Sequence, residues 1–178
     1  MKKIDLFIKA PTRARFEKLD IVGDVKMMKY LYEQAPNLAK RYFTCEDWVE
    51  LCRFEKEFAT RTELLQNAVD VIASIEDCRQ VFMEDKRDEF YKKIMHKAII
   101  FCVSFDDILD TICTFELTNE KLYKKYGKKL VKRAINLMVT PEDVKDFSGI
   151  IPIDDEDSLS KFNEKTVSIG VSFDDEEF

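Results

Sequence analysis

Residues 101–115 read FCVSFDDILDTICTF, and within them Asp106, Asp107 and Asp110 spell DDILD. Carboxylates repeated at helical spacing can converge on one hard cation, and a magnesium ion held this way can bridge to a diphosphate. A second constellation uses pairs three apart: Asp47-Trp48-Val49-Glu50 and Asp107-Ile108-Leu109-Asp110. That spacing can point two carboxylates at one hard cation, with Glu50, Asp107 and Asp110 as the candidate magnesium ligands.

A helical wheel weighs against the first of these. With Phe101 at zero, Phe105, Ile108, Ile112 and Phe115 fall within about 40° of it, while the three aspartates lie between about 140° and 240°. Amphipathic packing alone places charge on that side. DDILD resembles the aspartate-rich motif of polyprenyl diphosphate synthases, which implies magnesium ions bridging a substrate diphosphate. That family needs a second DDxxD on a facing helix; here IDDED at 153–157 lies in turn-like sequence instead. The residues are therefore not carried over as a site. The paired acids are similar to the ExxE and ExxD pairs of all-α nucleotide pyrophosphohydrolases, although their residue types differ and about sixty positions separate them.

Other chemistry-bearing side chains are sparse. The single histidine, His96, sits about 16 Å along the axis from Asp107 in a continuous helix, too far to share a site. The five cysteines, Cys45, Cys52, Cys78, Cys102 and Cys113, form no CxxC pair and mostly sit among apolar residues, as expected of free thiols in a reducing cytoplasm. No catalytic constellation and no resident cofactor are expected.

Charge is distributed unevenly. From Glu142 to Phe178 there are twelve acidic and three basic residues, a net of −9, and the chain totals −6, so residues 1–141 carry +3. Lys121, Lys124, Lys125, Lys128, Lys129, Lys132 and Arg133, interleaved with Tyr123 and Tyr126, could neutralise phosphates and stack unpaired bases. A solvated lysine-rich helix is the competing reading, since a mildly basic body is less cationic than a dedicated nucleic-acid domain. Asp154, Asp155, Glu156 and Asp157, then Asp174, Asp175, Glu176, Glu177 and Phe178, are the expected partner-binding residues. The last stretch, SFDDEEF, resembles the acidic, aromatic-ended tips with which bacterial and phage single-stranded-DNA-binding proteins recruit partners. One ring suits a small apolar pocket, and the carboxylates steer toward a basic rim on another protein. An acidic segment near a lysine cluster can also fold back on it and compete with a polyanion.

These residues need a scaffold. Four glycines and four prolines in 178 residues favour long helices. Thr44 with Asp47, Thr60 with Glu63, and Thr140-Pro141 with Asp143 read as helix starts, the first two as capping boxes. Leu64, Ala68, Val71, Ile75, Cys78 and Phe82 form one apolar stripe. Phe90, Ile94, Ala98, Phe101, Phe105, Ile108, Ile112 and Phe115 form another, predicting a helix of about thirty residues, about 45 Å long, that could kink or break. Ile4, Leu6 and Ile8 alternate as a short strand, and KTVSIGVSF predicts another across 166–173. No internal repeat is read, no apolar run is long enough for a membrane span, and the N-terminus lacks the apolar core of a signal peptide.

The sequence thus predicts a mainly α protein: an antiparallel helical bundle with a small β element from its terminal segments. Residues 1–147 form a helical domain with a short strand, and 148–178 an acidic C-terminal segment. The expected role is a cytoplasmic, non-enzymatic binding or regulatory protein, with no membrane association. Its size and lysine-rich composition suit a phage accessory factor or an inhibitor of host nucleic-acid machinery. A magnesium-dependent nucleotide phosphohydrolase and a single-stranded nucleic-acid-binding accessory protein are the alternatives.

Overall fold

The computed structural model describes residues 2–21, 23–115, 117, 123–150 and 156–171. Among them the protein is mainly α, with twelve α-helices and no strand. Two compact units divide the chain, Met1–Lys97 and Ala98–Phe178.

The first unit opens with α1 (Lys2–Lys9), α2 (Arg13–Glu17), α3 (Val25–Gln34) and α4 (Pro36–Tyr42). From there a regular alternation sets in. The 10-residue α5 (Cys45–Phe54) precedes the 14-residue α6 (Phe58–Val71). The 10-residue α7 (Ile75–Glu84) precedes the 14-residue α8 (Asp88–Phe101). The second unit continues with α9 (Phe105–Thr114) and a π-helical turn, Tyr123–Gly127, leading into α10 (Lys128–Leu137). The 10-residue α11 (Pro141–Ile150) and the 14-residue α12 (Glu156–Ile169) follow.

One device starts α5, α7, α9 and α11. Asp47 accepts the Thr44 N–H at 2.8 Å while its own N–H donates to Thr44 Oγ1 at 3.3 Å. Asp77 accepts from Ala73 and Ser74 and donates to Ser74 Oγ. Asp107 does the same with Val103 and Ser104, and Asp143 with Val139 and Thr140. Each box satisfies amide donors left open by the first turn and sets a carboxylate at the positive end of the helix dipole. Thr44, Ser74 and Ser104 recur at about 30 residues, and Thr140 follows at a longer interval, which is the spacing range of helical-hairpin repeats. The repeat escapes a reading of the sequence because it conserves only a hydroxyl, an acid and helix lengths.

Packing within each unit follows the same plan. In the first, α5 lies against α6 and against the next short helix, α7, and also meets α3. In the second, α9 lies against α10 and α11, and α12 meets both α10 and α11. The first core is strongly aromatic: Phe7, Phe16 and Tyr42 pack mutually at 5.2–5.7 Å between centroids. Phe43 carries the contact to Trp48, whose ring meets Tyr32 edge-on at 5.5 Å. In the second core Phe147 stacks on Phe162 at 5.2 Å, amid buried Ile108, Ile112, Leu130, Ala134 and Met138.

Several expectations are corrected. Residues 2–9 are a helix rather than a strand, because α1 buries Ile4 and Phe7, three apart, and leaves Leu6 exposed. The predicted strand at 166–173 is helical through Ile169, with Phe162 and Thr166 buried four apart and Val167 exposed; residues 172 and 173 lie outside the described residues. Gly170, at φ +83°, ends α12: its N–H reaches Val167 O and the Val171 N–H reaches Thr166 O, a Schellman closure that a left-handed glycine permits. The predicted thirty-residue helix is broken at Cys102–Ser104 by the third capping box. Thr60 and Glu63 form no box; α6 starts at Phe58, Thr60 donates to Glu57, and Glu63 accepts from Tyr32. No helix among the described residues is long and apolar enough to cross a membrane.

The capping assignment makes a stability prediction. Ser74→Ala should lower the urea midpoint by an amount equivalent to about 1 kcal/mol, whereas Ser74→Asn, which keeps an N-cap acceptor, should unfold within a few tenths of wild type.

Candidate binding surfaces

The acids singled out for metal chemistry have structural partners. Asp107 is the capping carboxylate of α9, and the Thr111 hydroxyl closes the same turn on the Asp107 carbonyl at 2.6 Å. Glu50, in the first unit, pairs with Arg53 at 3.4 Å, and Arg53 also grips Glu84 at 2.7 Å. Asp106 and Asp110 are exposed on α9, opposite the buried Ile108 and Ile112. Among the described residues no group of three His, Cys, Asp or Glu side chains is placed to hold a metal ion. His96 is exposed on α8.

The thiols are set for packing. Cys45, Cys52, Cys78 and Cys102 are buried, and Cys113 is exposed. Burial, reinforced by the Asp77 charge, pushes the Cys45 thiol up to about 12. Burial also pushes Cys52 up to about 12, against the nearby Arg61 cation. At these values neither presents a thiolate nucleophile near neutral pH.

Of the lysine cluster, Lys124, Lys125 and Lys129 are exposed and Lys128 is half-buried. The Lys125 ammonium lies 4.9 Å from the Tyr126 ring, whose hydroxyl is buried, so this ring is not displayed as a base-stacking platform. Arg133 reaches the Ile99 carbonyl at 3.2 Å. Lys132 pairs with Asp157, which Lys161 also approaches at 3.2 Å. The Lys132 ammonium, with Lys161, holds the Asp157 carboxyl below its ordinary range. Thus α10 and α12 join the basic helix to the start of the acidic segment inside the second unit. Glu156 is exposed beside this pair. Lys121, Asp154, Asp155, Asp174, Asp175, Glu176, Glu177 and Phe178 lie outside the described residues.

Sequence reasoning missed a cleft of about 230 Å³ in the first unit, between α3, α5 and the start of α6. Val25, Leu51, Leu64 and Phe54 supply apolar lining, and Phe54 is 62% exposed. Lys29 bonds Glu55 at 3.0 Å, and that bond, with the Glu33 and Glu57 charges, raises the Lys29 ammonium. The amide of Glu57, then Lys29, holds Glu55 below its ordinary range. The exposed Phe54 could have been flagged in the sequence, since it ends an amphipathic helix on its polar side. The cleft itself joins residues about 30 positions apart, which no local pattern encodes.

Two outcomes follow from the buried thiols. A thiol reagent should label Cys113 alone in the native protein and all five cysteines in denaturant. Because Cys45 and Cys52 are raised in the folded state, their contribution is complete below the ordinary thiol value of about 8.5 and is lost as pH rises toward about 12. Stability measured by denaturant titration should therefore decline above about pH 8.5, and Cys45→Ala should flatten that decline.

Comparison with known proteins finds no matching family model, no similar curated protein and no similar solved structure.

Proposed function

We propose that this chain is a non-enzymatic binding protein that engages another protein through charged surfaces carried on repeated helix pairs. The observation that supports this reading most directly is the use of acids singled out for metal chemistry as scaffolding. Asp47 and Asp107 each start a helix, Glu50 pairs with Arg53, and four of the five thiols are buried. Stacked helix pairs expose extended faces whose side chains vary without disturbing the caps, and such faces serve recognition. The finer arrangement of the pairs as an antiparallel bundle belongs to the same proposal.

Within the second unit the recognition element we favour is the joined surface of α10 and α12. Lys124, Lys125, Lys129 and Glu156 are exposed, and the Lys132–Asp157 pair joins α10 to α12. Exposed ion pairs of this sort contribute little to stability, so a partner can exchange them at low cost and gain orientation from them. A protein partner is favoured over a nucleic acid because Tyr126 packs its hydroxyl inward and two of the cations are already engaged.

The test captures partners from a cell extract at low and high salt, using the full chain and a Lys124→Glu/Lys125→Glu/Lys129→Glu variant. The expected outcome is a defined protein partner, shed at high salt and lost by the variant without loss of helicity. Capture of nucleic acid in place of protein, or divalent-dependent nucleotide turnover abolished by Asp110→Asn, would overturn the reading.

A further inference from the structure

A second surface in the first unit, distinct from the one just discussed, has a more specific chemistry. Between α1 and α2 lies an open groove of about 400 Å³, lined by Lys3, Leu6, Phe7, Arg15, Lys18 and Leu19. Its floor is apolar and its rim bears three cations and no anion. Phe7 and Leu19 are buried, whereas Leu6 is 65% exposed and stands at the mouth.

The groove is built rather than incidental. Phe7 is clamped by Phe16 at 5.7 Å and Tyr42 at 5.3 Å, so the floor is part of the aromatic core. Arg15 Nη1 donates to the Ala10 carbonyl at 2.9 Å, which fixes the guanidinium at the rim with its remaining donors available. Two neighbouring acids are engaged elsewhere: Asp5 accepts from Tyr30 and Glu17 pairs with Arg13. No carboxylate among the described residues forms an ion pair with Lys3, Arg15 or Lys18. Three cations around apolar side chains match a ligand that brings carboxylates to the rim and a ring to the mouth.

The chain itself carries that ligand chemistry. Residues 172–178, SFDDEEF, set four consecutive carboxylates between two phenylalanines. We infer that the α1–α2 groove docks residues 172–178 of a second copy of this chain. One phenyl ring packs on the exposed Leu6 at the mouth, and the carboxylates meet Lys3, Arg15 and Lys18. A volume near the lower end of ligand-holding clefts suits one ring and its flanking backbone, not a large cofactor. Each contact joins the groove of one copy to the segment of another, so association grows with concentration, and two copies can close as a reciprocal pair or further copies can add head-to-tail.

The test uses full-length chains in sedimentation velocity across a concentration series. One variant, Lys3→Glu/Lys18→Glu, reverses the rim and spares the Arg15–Ala10 bond. The other, Asp174→Asn/Asp175→Asn/Glu176→Gln/Glu177→Gln/Phe178→Ala, silences the segment. Wild type should show mass rising with concentration at low salt and a monomer at high salt. Each variant alone should be monomeric with unchanged helicity. Mixed one to one, they should form a heterodimer and nothing larger, because the mixture retains one intact groove and one intact segment. A synthetic SFDDEEF peptide should bind the segment-silenced chain and lose about tenfold or more in affinity on the rim-reversed chain. A wild type that stays monomeric at every concentration, association that survives both variants, or a mixture that fails to pair overturns the proposal.

Discussion

The reciprocal bond between a hydroxyl cap and the aspartate three residues later fixes where each pair of helices begins. It satisfies amides that the first turn leaves open, and it places a negative charge where the helix dipole is positive. The same bond starts α5, α7, α9 and α11, and three of these four aspartates also take the amide of the residue before the cap. The extra bond sits in the short breaks between α6 and α7, between α8 and α9, and between α10 and α11, where one helix stops and the next starts.

Within DDILD the three acids have different settings. Asp107 gives one carboxylate oxygen to two backbone amides at the start of α9, while Asp106 and Asp110 are exposed on the same helix. The cysteines run parallel. Four of the five lie in the packed interior, and for Cys45 and Cys52 burial pushes the thiol up to about 12.

What remains at the surface is charge with apolar side chains set into it. Phe54 at the α3–α5–α6 cleft and Leu6 at the α1–α2 groove are large apolar groups left in water beside fixed ions. Arg15 and Lys29 are held there by hydrogen bonds, so their charges stand at defined positions rather than sweeping a wide volume. The joining of α10 to α12 through Lys132 and Asp157 carries the chain's charge asymmetry into a single contact. Recognition by such surfaces depends on ionic strength and on the fit of a few anchors, as the proposals for both units require.

How much was legible can be followed residue by residue. The helical class was readable from scarce glycine and proline, from the stripes, and from the boxes at Thr44 and Thr140, since each is a local property of a few neighbouring residues. The boxes at Ser74 and Ser104 have the same local form, yet the strong apolar periodicity running through them masked the break. Ile4-Leu6-Ile8 and Val167-Ile169 alternate as a strand does, and burial of Ile4 with Phe7 and of Phe162 with Thr166 shows that the helical period prevails. By itself the sequence determined that the chain is helical, where several helices begin, and that its acidic and basic residues are segregated, because these depend on backbone propensity and composition. Only the tertiary structure decided that Asp77 and Asp107 are caps, that four of the five thiols are buried and that Lys3, Arg15 and Lys18 share one groove. Burial and the meeting of side chains distant in sequence arise from packing between helices, which no local spacing contains.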